Sequence, residues 1–184
     1  KPNERCTQDL SVTVEDKFKT LSNGNLVSST KNSDGSRTDR WVMEQDHAPY
    51  LFMLAIGDFA RVEDESWEGV PVDYYVEHEY EEYAKDIFPH TPEMLGFFSK
   101  ITGVKYPWAK YSQVAVRDYV SGAMENTTAV IFGEFMQGTD RELIDVEINE
   151  KIVAHEMFHH WFGDYVTCES WANLTLQEGF ANYS

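Results

Sequence analysis

The sequence predicts an α+β fold in which a β-rich first part is followed by a part that mixes strands and helices. Up to about residue 68, short stretches of alternating apolar and polar residues are separated by turn-forming residues. From Val70 onward, strand-like stretches alternate with longer segments of helical periodicity. With 42% hydrophobic and 14% aromatic residues, the 184 residues can form a sizeable core. We expect one domain or parts of two, divided near residue 68.

The first part contains two strand-like stretches, at residues 10–14 and 51–56. Residues 22–25 and 33–35 are rich in Asn, Ser, Asp and Gly, which favour turns, so we expect hairpins there. This region is therefore predicted to be β-structure.

The second part has a different pattern. Residues 72–76 and 113–117 predict strands, and residues 79–88 and 92–101 predict helices. A further strand is predicted at residues 129–132. It would place the preceding segment, which contains Glu125, along the edge of a sheet. The next predicted helix runs from about residue 147 to 162, and Gly163 ends it.

That last helix carries the motif His155-Glu156-Met157-Phe158-His159. Residues at i and i+4 lie on one face of a helix, so both imidazoles can converge on a single cation. Catalytic zinc usually takes three protein ligands, and two histidines with one carboxylate form a known hydrolytic set. Glu178, in a second helix-like stretch at 174–181, is the expected third ligand. The sequence therefore predicts a zinc site.

Glu156 is expected to act on water rather than bind the metal. It points about 100° around the helix from His155, so it lies beside the cation without coordinating it. That is the place for a general base. The alternative, a chance match on a surface helix, is disfavoured by the downstream Glu178 and by the apolar residues that flank the motif.

A second motif narrows the kind of hydrolase. The string Gly122-Ala123-Met124-Glu125-Asn126 lies upstream of the histidines. Together with the zinc motif and Glu178-Gly179-Phe180-Ala181, it resembles the aminopeptidase N family of gluzincin metallopeptidases. The order and spacing of three motifs make this resemblance specific, and it covers the whole chain.

The resemblance implies a role for each matching residue. His155, His159 and Glu178 would bind one zinc ion, and Glu156 would activate water. Glu125 would hold the free α-amino group of a peptide substrate, while the backbone of Gly122 and Ala123 would run beside that peptide. Met124 and Asn126 belong to the same substrate-binding string. Small residues suit a place where another backbone approaches closely.

The resemblance also implies the domain organisation. Residues 1–68 would be the C-terminal part of an N-terminal β-domain, and residues 69–184 the first, truncated part of a thermolysin-like catalytic domain. The family's oxyanion-stabilising tyrosine lies well downstream of the zinc-binding Glu, and Tyr183 is too close to Glu178 to be that residue. We therefore expect the chain to be an internal piece of a longer enzyme. Without the remaining C-terminal segments, we expect the chain to have negligible catalytic activity.

Three positions depart from the family's usual residues. Thr127 stands where Trp is frequent, Gln177 where Asn is common, and His160 where Gln is common. None is a metal ligand. His160 is rotated about 100° from His159, so we expect it to pack or hydrogen-bond elsewhere.

Composition excludes some partners and leaves other properties open. A net charge of -17 disfavours nucleic acid, and no apolar run is long enough to cross a membrane. Compartment, oligomeric state and the preferred N-terminal residue are not determined by this sequence.

Two alternatives to an aminopeptidase stay open. One is a bifunctional enzyme like leukotriene A4 hydrolase, with epoxide hydrolase and aminopeptidase activities; its string usually begins Gly-Gly, and Ala123 weighs against it. The other is a catalytically incompetent piece that only binds zinc or peptide, against which the intact ligand set and Glu156 argue.

Overall fold

The computed structural model describes residues 1–184 and contains ten β-strands and five α-helices. The strands are β1 (Cys6–Glu15), β2 (Lys19–Ser22), β3 (Asn25–Lys31), β4 (Ser36–His47), β5 (Leu54–Gly57), β6 (Phe59–Glu63), β7 (Val72–Glu77), β8 (Tyr111–Val116), β9 (Ala123–Met124) and β10 (Ala129–Gly133). The helices are α1 (Ala84–Ile87), α2 (Thr91–Thr102), α3 (Asp140–Leu143), α4 (Ile148–Phe158) and α5 (Thr175–Tyr183). The predicted α+β class is confirmed.

The strands form three sheets. An antiparallel sheet of order β1-β4-β3 and a two-stranded sheet of β2 and β5 occupy the first part of the chain. The third sheet has the order β6-β7-β8-β10-β9, with three parallel strands in the middle and an antiparallel strand at each edge. The short strand β9, which carries part of the Gly122–Asn126 string, is therefore one edge of the sheet.

Both faces of the five-stranded sheet are covered, because successive side chains along its strands belong to different cores. Tyr74 lies in a large core against the helices, whereas Tyr75 lies in a smaller one against the first part of the chain. The larger core contains side chains from α2 and α4, including Leu95, Phe98 and Met157. The helix that bears the histidines thus packs directly on the sheet that bears Glu125.

Most predicted elements are confirmed, and two in the first part need correction. Residues 22–25 are not a hairpin, because β2 pairs with β5 while β3 pairs with β4; the chain changes sheets at Gly24. Residues 51–56 do not form one strand. A turn of 3-10 helix at Pro49–Leu51 precedes β5, since Pro49 fixes a helical φ. The hairpin at 33–35 joins the paired strands β3 and β4.

Two predicted helices differ from the structure in extent. Residues 79–88 form a 3-10 segment, His78–Tyr83, followed by the short α1. The motif helix α4 ends at Phe158, not at residue 162, and His159 is its C-cap. Tight turns continue as far as Phe162, where Gly163, with a φ of 147°, redirects the chain. No helix combines the length and apolar character needed to span a bilayer.

The boundary predicted at residue 68 lies within a shared sheet. Strand β6 precedes it and pairs with β7, which follows it. The division of the chain into two domains at that point stays a prediction.

Candidate metal centre and peptide cleft

Helices α4 and α5 bring the three predicted ligands together. His155 lies in the last turn of α4, His159 caps that helix, and Glu178 lies in the first turn of α5. The Nε2 atoms of the two histidines are 3.1 Å apart, and Glu178 Oε2 lies 3.5 Å from that of His155 and 3.6 Å from that of His159. These residues are the only group of three potential ligands whose donor atoms all lie within 4.8 Å of one another.

These separations fit a tetrahedral zinc site. Zinc-to-nitrogen and zinc-to-oxygen bonds of about 2.0–2.2 Å at tetrahedral angles separate ligand atoms by about 3.3 Å. The three distances, 3.1, 3.5 and 3.6 Å, bracket that value. The distances between these donor atoms would change by only a few tenths of an ångström when zinc binds, so the residues present fit the metal.

Hydrogen bonds orient His159 toward the centre. Its Nδ1 lies 3.0 Å from the Phe162 carbonyl oxygen and donates to it, so Nε2 is the atom that faces the other predicted ligands. Burial opposes a charge on this ring, but the hydrogen bond with Glu178 and the nearby Glu125 raise the pKa of His159 to about 9. The same hydrogen bond with His159 lowers the pKa of Glu178. The acidic residues around His159 thus favour a positive charge at this position, as a cation site requires.

Glu156 lies beside the three ligands and is not one of them. Its side chain is buried, and its Oε2 has no hydrogen-bond partner within the protein. Burial, with a contribution from Glu125, raises the pKa of Glu156 to about 8. A buried, unpartnered carboxyl oxygen facing a cleft is available to exchange a proton with a bound molecule, and a nearby cation would favour its ionised form.

The Gly122–Asn126 string forms the opposite wall. Ala123 and Met124 are the edge strand β9, which pairs with β10 on one side only. A Cβ added to Gly122 would lie 4.0 Å from its nearest neighbour, an atom of the Phe135 ring. The protein itself therefore leaves room at Gly122, and an extended ligand can approach the free edge of β9.

Glu125 and Asn126 are both buried. Asn126 donates its amide to the Leu51 carbonyl oxygen at 3.2 Å, so it anchors the string to the first part of the chain. Burial raises the pKa of Glu125, while the positive potential of His159 acts in the other direction. Glu125 is thus a buried carboxyl within electrostatic reach of the candidate metal centre.

One cleft of about 580 Å³ joins these parts. It is lined by Gly122, Ala123, Met124, Glu125, His155, Glu156, His159 and Glu178, among others. A larger cavity of about 790 Å³ lies elsewhere, around Arg37, Asp39, Asp73 and Lys110. We place the site in the smaller cleft because only that cleft contains the ligand cluster. All the sequence-predicted site residues except Asn126 line it.

His160 does not compete for the metal. Its Nε2 accepts a hydrogen bond from the Thr128 backbone N–H at 3.0 Å, and its Nδ1 donates to the Glu156 carbonyl oxygen at 3.2 Å. Burial lowers the pKa of His160 to about 3, so the ring is neutral. The expectation that it hydrogen-bonds elsewhere is confirmed, and it links the motif helix to the string that carries Glu125.

Two other contacts at the site have no signal in the sequence. Gln177, just before Glu178, donates to the Tyr50 hydroxyl at 2.9 Å and accepts from the Cys168 N–H at 3.0 Å. Tyr50 stands edge-on to Trp171. Because Tyr50 lies 127 residues away in sequence, in the 3-10 turn Pro49–Leu51, only the fold reveals that it contacts α5.

Known proteins resemble this chain along its full length. Residues 87–184 match the peptidase family M1 domain. A puromycin-sensitive aminopeptidase of Caenorhabditis elegans is 29% identical over 189 residues, and a glutamyl aminopeptidase of Mus musculus is 30% identical over 186, each alignment covering 99% of this chain. Aminopeptidase M1 of Arabidopsis thaliana is 33% identical over 73% of this chain.

The chain spans about a fifth of the length of these relatives, covering 20%, 20% and 16% of them. The resemblance seen in the motifs is therefore confirmed by the family match and by relatives that are all named aminopeptidases. The chain belongs to peptidase family M1.

Proposed function

We propose that the whole protein carrying this chain is a zinc-dependent aminopeptidase, which removes the N-terminal residue from peptides. The observation that supports it best is that one cleft contains both the three-ligand cluster and the buried Glu125. The names of the related proteins support the same activity.

His155, His159 and Glu178 would hold the zinc. When bound, the ion supplies Lewis-acid polarisation of the scissile carbonyl and lowers the pKa of water. The other steps belong to protein side chains.

Glu156 is proposed to carry the proton. It accepts a proton from the attacking water and then delivers it to the amine that leaves. Its burial beside Glu125 raises the pKa of this carboxyl, which helps it hold a proton, while a bound cation would favour the ionised form that accepts one.

Glu125 is proposed to restrict cleavage to the first residue. A buried carboxylate gains a charge-assisted hydrogen bond from a free α-ammonium group, whereas a blocked or internal residue leaves it without a partner. The free edge of β9 would hold the peptide backbone so that the first peptide bond lies next to Glu156.

Product analysis tests the proposal. The zinc-loaded whole protein is incubated with an unblocked decapeptide and with its N-acetylated twin, with and without a chelator, and products are read by mass spectrometry. We expect a ladder that shortens from the N-terminus of the unblocked peptide only, stopped by the chelator and restored by zinc. Internal fragments, or equal cleavage of the acetylated peptide, would contradict the exopeptidase assignment.

A further inference from the structure

The turn that directly follows Glu125 has a strained backbone. The Ala129 N–H donates to the Asn126 carbonyl oxygen at 2.9 Å, which closes a four-residue turn. Thr128, the third residue of that turn, has a φ of 69°. A β-branched residue rarely adopts the left-handed region and persists there only where its surroundings hold it.

Lys110 is one of the groups that hold it. Its Nζ donates to the Thr128 carbonyl oxygen at 2.9 Å, to the Thr128 hydroxyl at 3.3 Å and to the Ser22 carbonyl oxygen at 3.1 Å. An ammonium group has three donors, so all are used. Lys110 is buried, and it forms no salt bridge. Its Nζ also lies 5.5 Å from the centroid of the Trp41 ring, and burial lowers the pKa of Lys110 to about 7.

Three other parts of the chain contact the same turn, one of them β8, where the Ser112 N–H donates to the Thr128 carbonyl oxygen at 3.0 Å. The Gly24 N–H donates to the Thr128 hydroxyl at 2.8 Å, and the Asn23 amide donates to the Thr127 carbonyl oxygen at 2.8 Å. From the other side, His160 accepts from the Thr128 N–H. Thr128 is thus the point where the first part of the chain, the central sheet and the motif helix meet.

We propose that Lys110 is a positioning residue for Glu125: by holding Thr128 in its left-handed conformation, it fixes the carboxylate that receives the substrate's amino group. This inference rests on the proposed function. Lys110 itself touches neither the ligand cluster nor the cleft.

The expected effect follows from the short connection between the two sites. Only Asn126 and Thr127 separate Glu125 from Thr128, and β10 begins at the next residue. Without the ammonium group, the Thr128 carbonyl oxygen keeps only the Ser112 N–H and the Thr128 hydroxyl only the Gly24 N–H, so the strained turn is held by fewer contacts and can relax. A displacement of about 1 Å in a binding group can reduce rates on the order of 100-fold.

A merely structural role would have a different signature. Partial unfolding lowers the fraction of active protein but leaves the affinity of the remaining fraction unchanged. Misplacement of Glu125 weakens only those ligands that carry a free amino group. The ratio of two dissociation constants, measured in the same protein, separates the two cases.

The experiment compares leucine hydroxamate with N-acetyl-leucine hydroxamate, by calorimetry on the zinc-loaded whole protein. Both ligands can chelate the metal, but only the first carries a free amine. The variants are Lys110→Met, which keeps length and removes the charge, Lys110→Arg, which keeps donors, and Lys100→Met, an exposed control. Thr128→Val serves as a second disruption of the same contact, because it removes the hydroxyl without changing the shape.

We expect Lys110→Met to lower the affinity ratio of amine over acetylated ligand about 10-fold or more, with the acetylated ligand unaffected. Lys110→Arg and Lys100→Met should keep the ratio within about threefold of wild type. Thr128→Val should also lower this affinity ratio. If Lys110→Met does not fold, the ratio in Thr128→Val tests the proposal instead. An unchanged ratio in the folded disrupting variants would overturn the proposal. Equal binding of both ligands by wild type would instead overturn the proposed function itself.

Discussion

At the scale of single residues, the site depends on carboxyl groups in different surroundings. Glu178 is half-exposed and hydrogen-bonded to His159, so it stays ionised as a ligand should. Glu125 and Glu156 are buried, and burial raises the pKa of each. Identical side chains are therefore suited to different tasks by their environments.

Replacing Glu156 by Gln should remove the proton carrier and leave the metal site intact. We expect kcat to fall by about 10²- to 10⁴-fold because proton transfer is lost. Zinc content, measured by atomic emission on the same preparation, should stay at one per chain. Loss of zinc from this variant would show that Glu156 supports binding, and retained activity would exclude it as the base.

We predict that the free energy of unfolding around His47 depends on pH. It is fully buried at the end of β4, stacks on Phe52 at 4.9 Å, and both ring nitrogens lack partners. Burial, with the charge of Arg5, lowers its pKa to about 4, compared with 6.5 when unfolded. The unfolded state thus binds a proton first as pH falls, so stability is lost between about pH 6.5 and pH 4 and is unaffected above that window.

His47→Phe keeps the aromatic contact and removes the titration. Peptide-resolved hydrogen exchange of β4 at pH 7 and pH 5, corrected for intrinsic rates, should show acid-induced opening in wild type and less of it in the variant. His78→Phe, at an exposed histidine paired with Asp58, is the control and should behave like wild type. The same pH response in all proteins would assign the acid sensitivity to other groups.

At the scale of elements, the site depends on how α5 is held against its neighbours. Gln177 joins this helix to Tyr50 and to the backbone of Cys168. Neither contact involves the metal ligands directly. Together they set the orientation from which Glu178 reaches the histidines.

Gln177→Ala should therefore weaken zinc binding. Outer hydrogen-bonding partners of metal ligands typically contribute about 10- to 100-fold in affinity, and we expect a loss in that range. Competition with a fluorescent chelator measures it in the whole protein. Thr175→Ala, at an exposed position on the same helix, should leave the affinity unchanged; equal losses in both variants would indicate fraying of α5 instead.

Much of the element pattern could be predicted from sequence because it follows local periodicity. The i, i+4 spacing of His155 and His159 places both on one helix face, and the β-branched and aromatic residues at 72–76 favour a strand. The error at residues 22–25 has a physical cause: Asn and Gly favour a turn, but they do not say which strands pair across it. The early end of α4 results from the turns that follow Phe158, which tertiary contacts stabilise.

The supporting contacts of the site could not be predicted. A lone lysine such as Lys110 carries no motif, and its three acceptors come from positions 18 and 88 residues away. The same holds for Tyr50, which is 127 residues from Gln177. Such long-range contacts become visible only once the sheets and helices are assembled.

At the scale of the whole molecule, the first part of the chain contacts the turn that follows Glu125 and so supports that wall of the cleft. Asn23, between β2 and β3, donates to the carbonyl oxygens of Leu51 and Thr127, and accepts from the Met53 N–H. These bonds tie together the two-stranded sheet and the turn after Glu125. The β-structure is therefore part of the architecture of the site.

Asn23→Ala should loosen that connection. Leaving buried backbone groups without partners costs about 1–3 kcal/mol. We expect faster hydrogen exchange in the segment 122–129, measured in the whole protein. Asn25→Ala, at the exposed start of β3, is the matched control and should exchange like wild type; no difference between the two would show that the turn is held without Asn23.

Glu125 is proposed to make the candidate zinc site specific for free N-termini. The most direct measurement is the ratio of kcat/KM for an unblocked peptide over its N-acetylated twin, in zinc-loaded wild type and in Glu125→Ala, with the exposed Glu44→Ala as control. We expect a large ratio for wild type and for the control, and a ratio near one for Glu125→Ala because its activity on the unblocked peptide collapses. A ratio near one in wild type, or an unchanged ratio in Glu125→Ala, would contradict it.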